Sequence, residues 1–135
     1  PVACAVASKV LEIYERDQLF ARAADTGRYF QQQLQRFVDH PLVGEVRGVG
    51  MIAALELVAN KSTREAFHGN AIGGHCALRA QEHGLIVRAM GGNSIALCPP
   101  LVITHQQVDE LVAKLGKALD DTLRYASDEK LLSQD

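Results

Sequence analysis

Residues 84–101, GLIVRAMGGNSIALCPPL, decide the fold class. Two short apolar runs flank Gly91, Gly92 and Asn93, residue types that supply turn dihedrals, and two prolines close the second run. The pattern predicts a β-hairpin with strands over 85–90 and 94–98. Side chains alternate along a strand, so Leu85, Val87 and Ala89 take one face while Ile86, Arg88 and Met90 take the other. A guanidinium therefore shares a face with two large apolar residues. Three readings are open for it: Arg88 snorkels to water, pairs with an internal carboxylate such as Glu56 across the sheet, or awaits an anionic ligand in a pocket.

Downstream of the hairpin, Thr104 followed by Gln107 has the spacing of a helix capping box. Val108, Leu111, Val112, Leu115, Leu119 and Leu123 then form one apolar stripe to about Arg124. The polar tail, 128–135, is expected to fray. Upstream, His75 to His83 has the length of a short helix closed by Gly84. The segment before it, ANKSTREAFHGNAIGG, is a polar loop long enough to suggest a functional role. VGEVRGVGMIAALELV, residues 43–58, alternates like a strand and is predicted to bend or bulge at its glycines. Residues 17–39 carry Phe30, Leu34, Phe37 and Val38 at helical spacing and stop before Pro41. A first helix is predicted over 2–15, with a face rich in small residues that the remaining chain has little left to cover. The order helix, helix, strand, helix, strand, strand, helix predicts an α+β fold, a short, mainly antiparallel sheet flanked by helices that cover one face.

Composition narrows the function classes. The 135 residues are 47% hydrophobic, enough to bury the core of one domain, and the net charge is -2 with no run of like charges. Nothing here suggests a nucleic-acid or membrane-surface partner, and no apolar segment approaches the ~20 residues that a membrane span requires. Cys4, Cys76 and Cys98 are odd in number and lack CxxC spacing, which predicts a reducing, cytoplasmic setting. The opening PVACAVASKVLEIYE has neither an initiator Met nor a basic leader, so it reads as neither a signal peptide nor a natural start.

Other candidate chemistry is weaker. His68, His75, Cys76 and His83 lie near one another in sequence but match no compact zinc spacing, and a solvated helix face is the expectation. Cys98 has apolar neighbours and no base beside it, and is expected in the core. The glycines of RGVGM and GGN do not sit between a strand and a helix N-terminus, so neither is a phosphate loop. Arg47 and Arg64 occupy strand-entry and loop positions that face water.

Taken in order, PVACAVASKVLEIYE, HPLVGEVRGVGMIAALELV, NKSTREAF and GLIVRAMGGNSIALCPPLVIT followed by a capped helix resemble the C-terminal segment of the class III pyridoxal-phosphate aminotransferases. KSTREAF after ELVAN, and the LIVRAMGGN hairpin, are most similar to the omega-amino acid:pyruvate and amine:pyruvate branch. The resemblance implies the small domain of a fold type I enzyme over 1–127, with residues 1–16 as the interdomain helix. It implies a parent homodimer using pyridoxal 5'-phosphate to pass an amino group from an amine or omega-amino acid to pyruvate or a similar keto acid. Arg88 falls on the family position that binds the substrate carboxylate, whereas the Schiff-base lysine and the main cofactor ligands are expected upstream. No catalytic residue is thus expected in this segment, which by itself would be inactive. An aminomutase or decarboxylase of the same class, or a non-catalytic interaction module, are the alternatives.

Overall fold

The computed structural model describes residues 1–69 and 71–133. Its elements run α1 (Val2–Arg16), α2 (Leu19–Leu34), β1 (Val43–Val49), β2 (Ile52–Asn60), β3 (Glu65–Ala66), α3 (Ala71–Glu82), β4 (Arg88–Met90), β5 (Ser94–Leu97) and α4 (His105–Asp128). The sheet is antiparallel, in the order β1-β2-β5-β4, with β3 pairing on β2. Helices α2, α3 and α4 cover one face, as expected of an α+β layer.

The covered face is built by alternation. Ala53, Leu55 and Leu57 of β2, and Ile95 and Leu97 of β5, point inward and are buried. They meet Phe30 and Leu34 of α2, Cys76 and Ala80 of α3, and the α4 stripe, where Val108, Val112, Leu115 and Leu119 are buried. The Thr104 capping box closes as its spacing requires: the Gln107 N–H donates to Thr104 Oγ1 at 3.2 Å and the Thr104 N–H donates to Gln107 Oε1 at 3.0 Å. Polar contacts tie the layers, with the Tyr29 hydroxyl donating to Asp109 at 2.6 Å and Lys61 donating to the carbonyls of Val38, His40 and Val43.

Several expectations change. Residues 43–58 are two strands rather than one bent strand: β1 and β2 form a hairpin with Val49 opposite Ile52 and Gly50–Met51 as its loop. Gly50 has φ +56, the left-handed conformation that a type II′ turn gives to glycine at its first central position. The helix over 17–39 is interrupted at both ends. Gln18, at φ 50, separates α1 from α2, and a tighter turn over Gln35–Phe37 rotates Val38 outward, where it is exposed. Helix α3 starts four residues earlier than His75, and β3 lies within the expected loop. Past α4 the chain doubles back, with Leu132 half-buried against the core and the Ser133 N–H donating to the Ala59 carbonyl at 3.2 Å. Residues 134 and 135 of the expected frayed tail lie outside the described residues.

Candidate functional site: the open face of the sheet

Opposite the helices, the sheet has a second face with no helix on it among the described residues. Strand register fixes what stands there. Arg88 pairs with Ala96, Ala96 with Ala54, and Ala54 with Arg47, so these four form one row across the sheet. The next row is Met90, Ser94, Glu56 and Glu45. Ile86, 91% exposed, and the exposed Cys98 continue the face beyond the two rows. Val49 and Ile52, 79% and 61% exposed, stand at the far edge. So much exposed apolar surface around a few charges is what a binding face presents, whereas single exposed apolar residues carry no such meaning.

The charges divide into a satisfied set and a free one. Arg47 Nη1 donates to Glu56 Oε2 at 2.6 Å and to Glu45 Oε2 at 3.3 Å. The Glu56 bond holds the Arg47 guanidinium proton above its ordinary affinity. Glu56, the carboxylate that the sequence offers to Arg88, is thus already taken. Among the described residues Arg88 has no carboxylate partner, and its side chain lines an open groove of about 490 Å³. Ile86, Met90, Ala96 and Cys98 line it from the open face and the core residues Leu97 and Ile103 line it as well, and among the described lining residues Arg88 alone is charged. Such a groove can take a small organic anion, because a planar guanidinium fork matches a carboxylate.

The alternation of Arg88 with Leu85 and Val87 is as the sequence predicts: those two pack on the core while Ile86, Arg88 and Met90 are exposed. Regular pairing, however, begins only at Arg88, and residues 85–87 form an extended approach to the strand. Cys98 is a correction. It is exposed instead of buried, since Leu97 takes the inward position and the next residue must face the other way. The histidine and cysteine candidates are scattered into separate contacts. His75 stacks on Tyr125 at 3.8 Å, Cys76 is buried with its thiol pushed up to about 11, and His83 Nε2 lies 2.7 Å from Asp121 Oδ2. Among the described residues no three such side chains gather to hold a metal ion, and no helix is long and apolar enough to cross a membrane. The Arg47–Glu56 pair is what sequence reasoning missed, although two opposite charges on facing strands of one hairpin were its signal.

No residue of α1 is buried, and Val2, Val6, Val10 and Leu11 are exposed along it. Among the described residues, the sheet face and this helix are two surfaces that lack cover.

The model of the class-III aminotransferase family matches residues 1–119. Putrescine–pyruvate aminotransferase of Pseudomonas aeruginosa is 47% identical over 123 residues, 90% of this chain and 27% of that protein. Gamma aminobutyrate transaminase 3, chloroplastic, of Solanum lycopersicum is 38% identical over 123 residues, covering 90% of this chain and 24% of the relative. Among solved structures, the omega transaminase from Pseudomonas jessenii in complex with PMP has a TM-score of 0.89 at 45% identity, over 94% of this chain and 28% of that one. This chain spans about a quarter of the length of the relatives it matches. With the family match running from the first residue through most of α4, the chain belongs to the class III aminotransferases.

Proposed function

We propose that this chain is the small domain of a pyridoxal-phosphate-dependent transaminase that moves an amino group from an amine or omega-amino acid to pyruvate, and that Arg88 binds the carboxylate of the keto or amino acid. The single observation that carries the reading is a guanidinium without a carboxylate partner among the described residues, set on an uncovered apolar face. Glu56 is committed to Arg47, so Arg88 is left for a ligand. The first relative's name pairs a diamine donor with pyruvate as acceptor, which supports the substrate classes. A long, flexible side chain suits such a pair, since it holds a carboxylate when one is present and withdraws when the substrate is a simple amine.

The cofactor that the family implies does not fit the residues present. None of Lys9, Lys61, Lys114, Lys117 and Lys130 lines the groove of Arg88. Lys9 and Lys114 pair with Glu12 and Glu110, and the Lys61 ammonium is spent on three backbone carbonyls. On this reading the cofactor and its lysine belong to a large domain that covers the open face, with α1 leading to it and the parent acting as a homodimer. What this chain supplies is recognition: it binds a carboxylate, orients it and lines the groove with apolar side chains.

The test is Arg88→Ala in the full-length protein, with the two half-reactions measured separately. Removing two charge-assisted hydrogen bonds, each worth about 1.5–3 kcal/mol, should slow the pyruvate half-reaction by about 100-fold or more. The half-reaction with a simple amine should slow far less. Equal loss for both would make Arg88 a structural residue.

A further inference from the structure

The turn of the hairpin that carries Arg88 holds a buried polar side chain, and we infer that Asn93 is the positioning residue that holds Arg88 in place for its carboxylate. This role rests on the reading of Arg88 given above. Strand β4 is the edge of the sheet, three residues long, exposed throughout and paired only with β5 among the described residues. A short edge strand held by one neighbour opens readily. A guanidinium that must place two parallel hydrogen bonds tolerates only about 0.5 Å of drift. Leu85 and Val87 pack on the core and hold one end of the strand, while its other end runs into the turn.

Asn93 stands in the turn, five positions after Arg88, in the left-handed conformation at φ 61. The turn geometry asks only for a positive φ, which glycine would meet equally well. Yet Asn93 is 1% exposed, while its turn neighbours Gly91 and Gly92 are exposed. Its side-chain Oδ1 accepts the N–H of Gly73 in the first turn of α3 at 3.1 Å, and its Nδ2 donates to the Gly69 carbonyl at 2.6 Å. Its own carbonyl accepts the Leu57 N–H of β2 at 3.2 Å. One residue thus joins the hairpin to β2, to the loop before α3 and to α3 itself. The approach is close enough to dictate its partner: a Cβ at Gly73 would lie 3.1 Å from Asn93 Cα, which accounts for a glycine inside a helix.

The experiment uses the full-length protein with Asn93→Gly and Asn93→Asp, each alone and combined with Arg88→Ala. Asn93→Gly keeps the positive φ and removes both side-chain bonds. It should raise KM for pyruvate about fivefold or more, with the simple-amine half-reaction changed less than about twofold. Asn93→Asp keeps the acceptor for Gly73 but turns a buried carboxylate oxygen toward the Gly69 carbonyl, so it should impair the pyruvate half-reaction at least as much as glycine does. On top of Arg88→Ala the glycine change should add less than about twofold, because no guanidinium remains to be placed. Equal losses for pyruvate and amine, or an effect that multiplies with that of Arg88→Ala, would overturn the positioning role and leave the carboxylate reading of Arg88 standing. If Arg88→Ala itself fails to separate pyruvate from amines, both fall. If Asn93→Gly does not fold, Asn93→Asp decides, and loss of folding in both would also overturn it.

Discussion

Alanine at Gly27 and alanine at Gly116 are the same change in the same kind of place, the interior of a long helix, and they should act in opposite directions. Each replaces the poorer helix former by the better one, a gain of about 0.5–1 kcal/mol. At Gly116 in α4 the new Cβ would meet Phe37 Cε1 at 3.5 Å, an ordinary contact, so the gain stands. At Gly27 in α2 it would lie 2.9 Å from the carbonyl carbon of Gly50 and 3.0 Å from its Cα. Carbon pairs sit best at about 3.5–4.0 Å, so α2 or the β1–β2 turn must yield by roughly 0.6 Å. Neither side gives easily, because both atoms are backbone and Gln31 Nε2 pins the turn by donating to the Gly50 and Ile52 carbonyls at 2.8 and 3.1 Å. Overpacking of this kind costs about 1–3 kcal/mol, which exceeds the propensity gain. The net expectation is a loss of up to about 2.5 kcal/mol at Gly27, centred near 1 kcal/mol, and a gain of about 0.5–1 kcal/mol at Gly116. Urea unfolding followed by circular dichroism reads both, and with a slope of about 2 kcal/mol/M the two midpoints should stand roughly 1 M apart. Midpoints shifted in the same direction would refute the reasoning that tertiary approach, and not propensity, places Gly27.

Two further outcomes concern groups whose surroundings shift their protonation. Burial pushes the Cys76 thiol up to about 11, whereas Cys4 and Cys98 are exposed, so a maleimide near pH 7 should label the latter two quickly and Cys76 only on unfolding. Mass spectrometry of the labelled peptides checks this, and rapid labelling of Cys76 in the folded chain would contradict it. His40 Nδ1 accepts the Leu42 N–H at 3.2 Å, so its proton sits on Nε2, which faces Asp120 at 3.4 Å, with Lys61 also nearby. Burial lowers its affinity for a second proton below the ordinary value of 6.5. Between that depressed value and 6.5 the unfolded chain binds the proton and the folded one does not, so stability is full above 6.5 and falls as pH drops. His40→Asn, which keeps an acceptor for Leu42, should flatten the decline in urea midpoint from about pH 7 to about pH 5, and an unchanged slope would count against this assignment.

Local signals were legible where the chain meets only itself. The Thr104–Gln107 box, the α4 stripe and the glycine turn before Ser94 are all written within a few residues, and each forms as its spacing requires. The β1–β2 hairpin was hidden because Met51, in the turn, is buried and extends the β2 alternation by one residue, so no break marks the corner. Helix α3 begins before its sequence signal because Gly73 and Gly74 lower helix propensity in its first turn, and Asn93, twenty residues away, is what calls for the first of them. The site divides in the same way. Alternation placed Arg88 on its face. That Glu56 is occupied by Arg47, and that no helix covers this face among the described residues, depends on strand register and layer packing that local patterns do not carry.

Arg88 is proposed to meet the substrate carboxylate. Chemical modification by an arginine-specific dicarbonyl, mapped by mass spectrometry in the full-length protein, reads that contact at the residue itself. Pyruvate should slow modification of Arg88 while leaving exposed arginines such as Arg28 and Arg124 reacting at their original rates, and a simple amine should give no such protection. Equal modification of Arg88 with and without pyruvate would contradict the account.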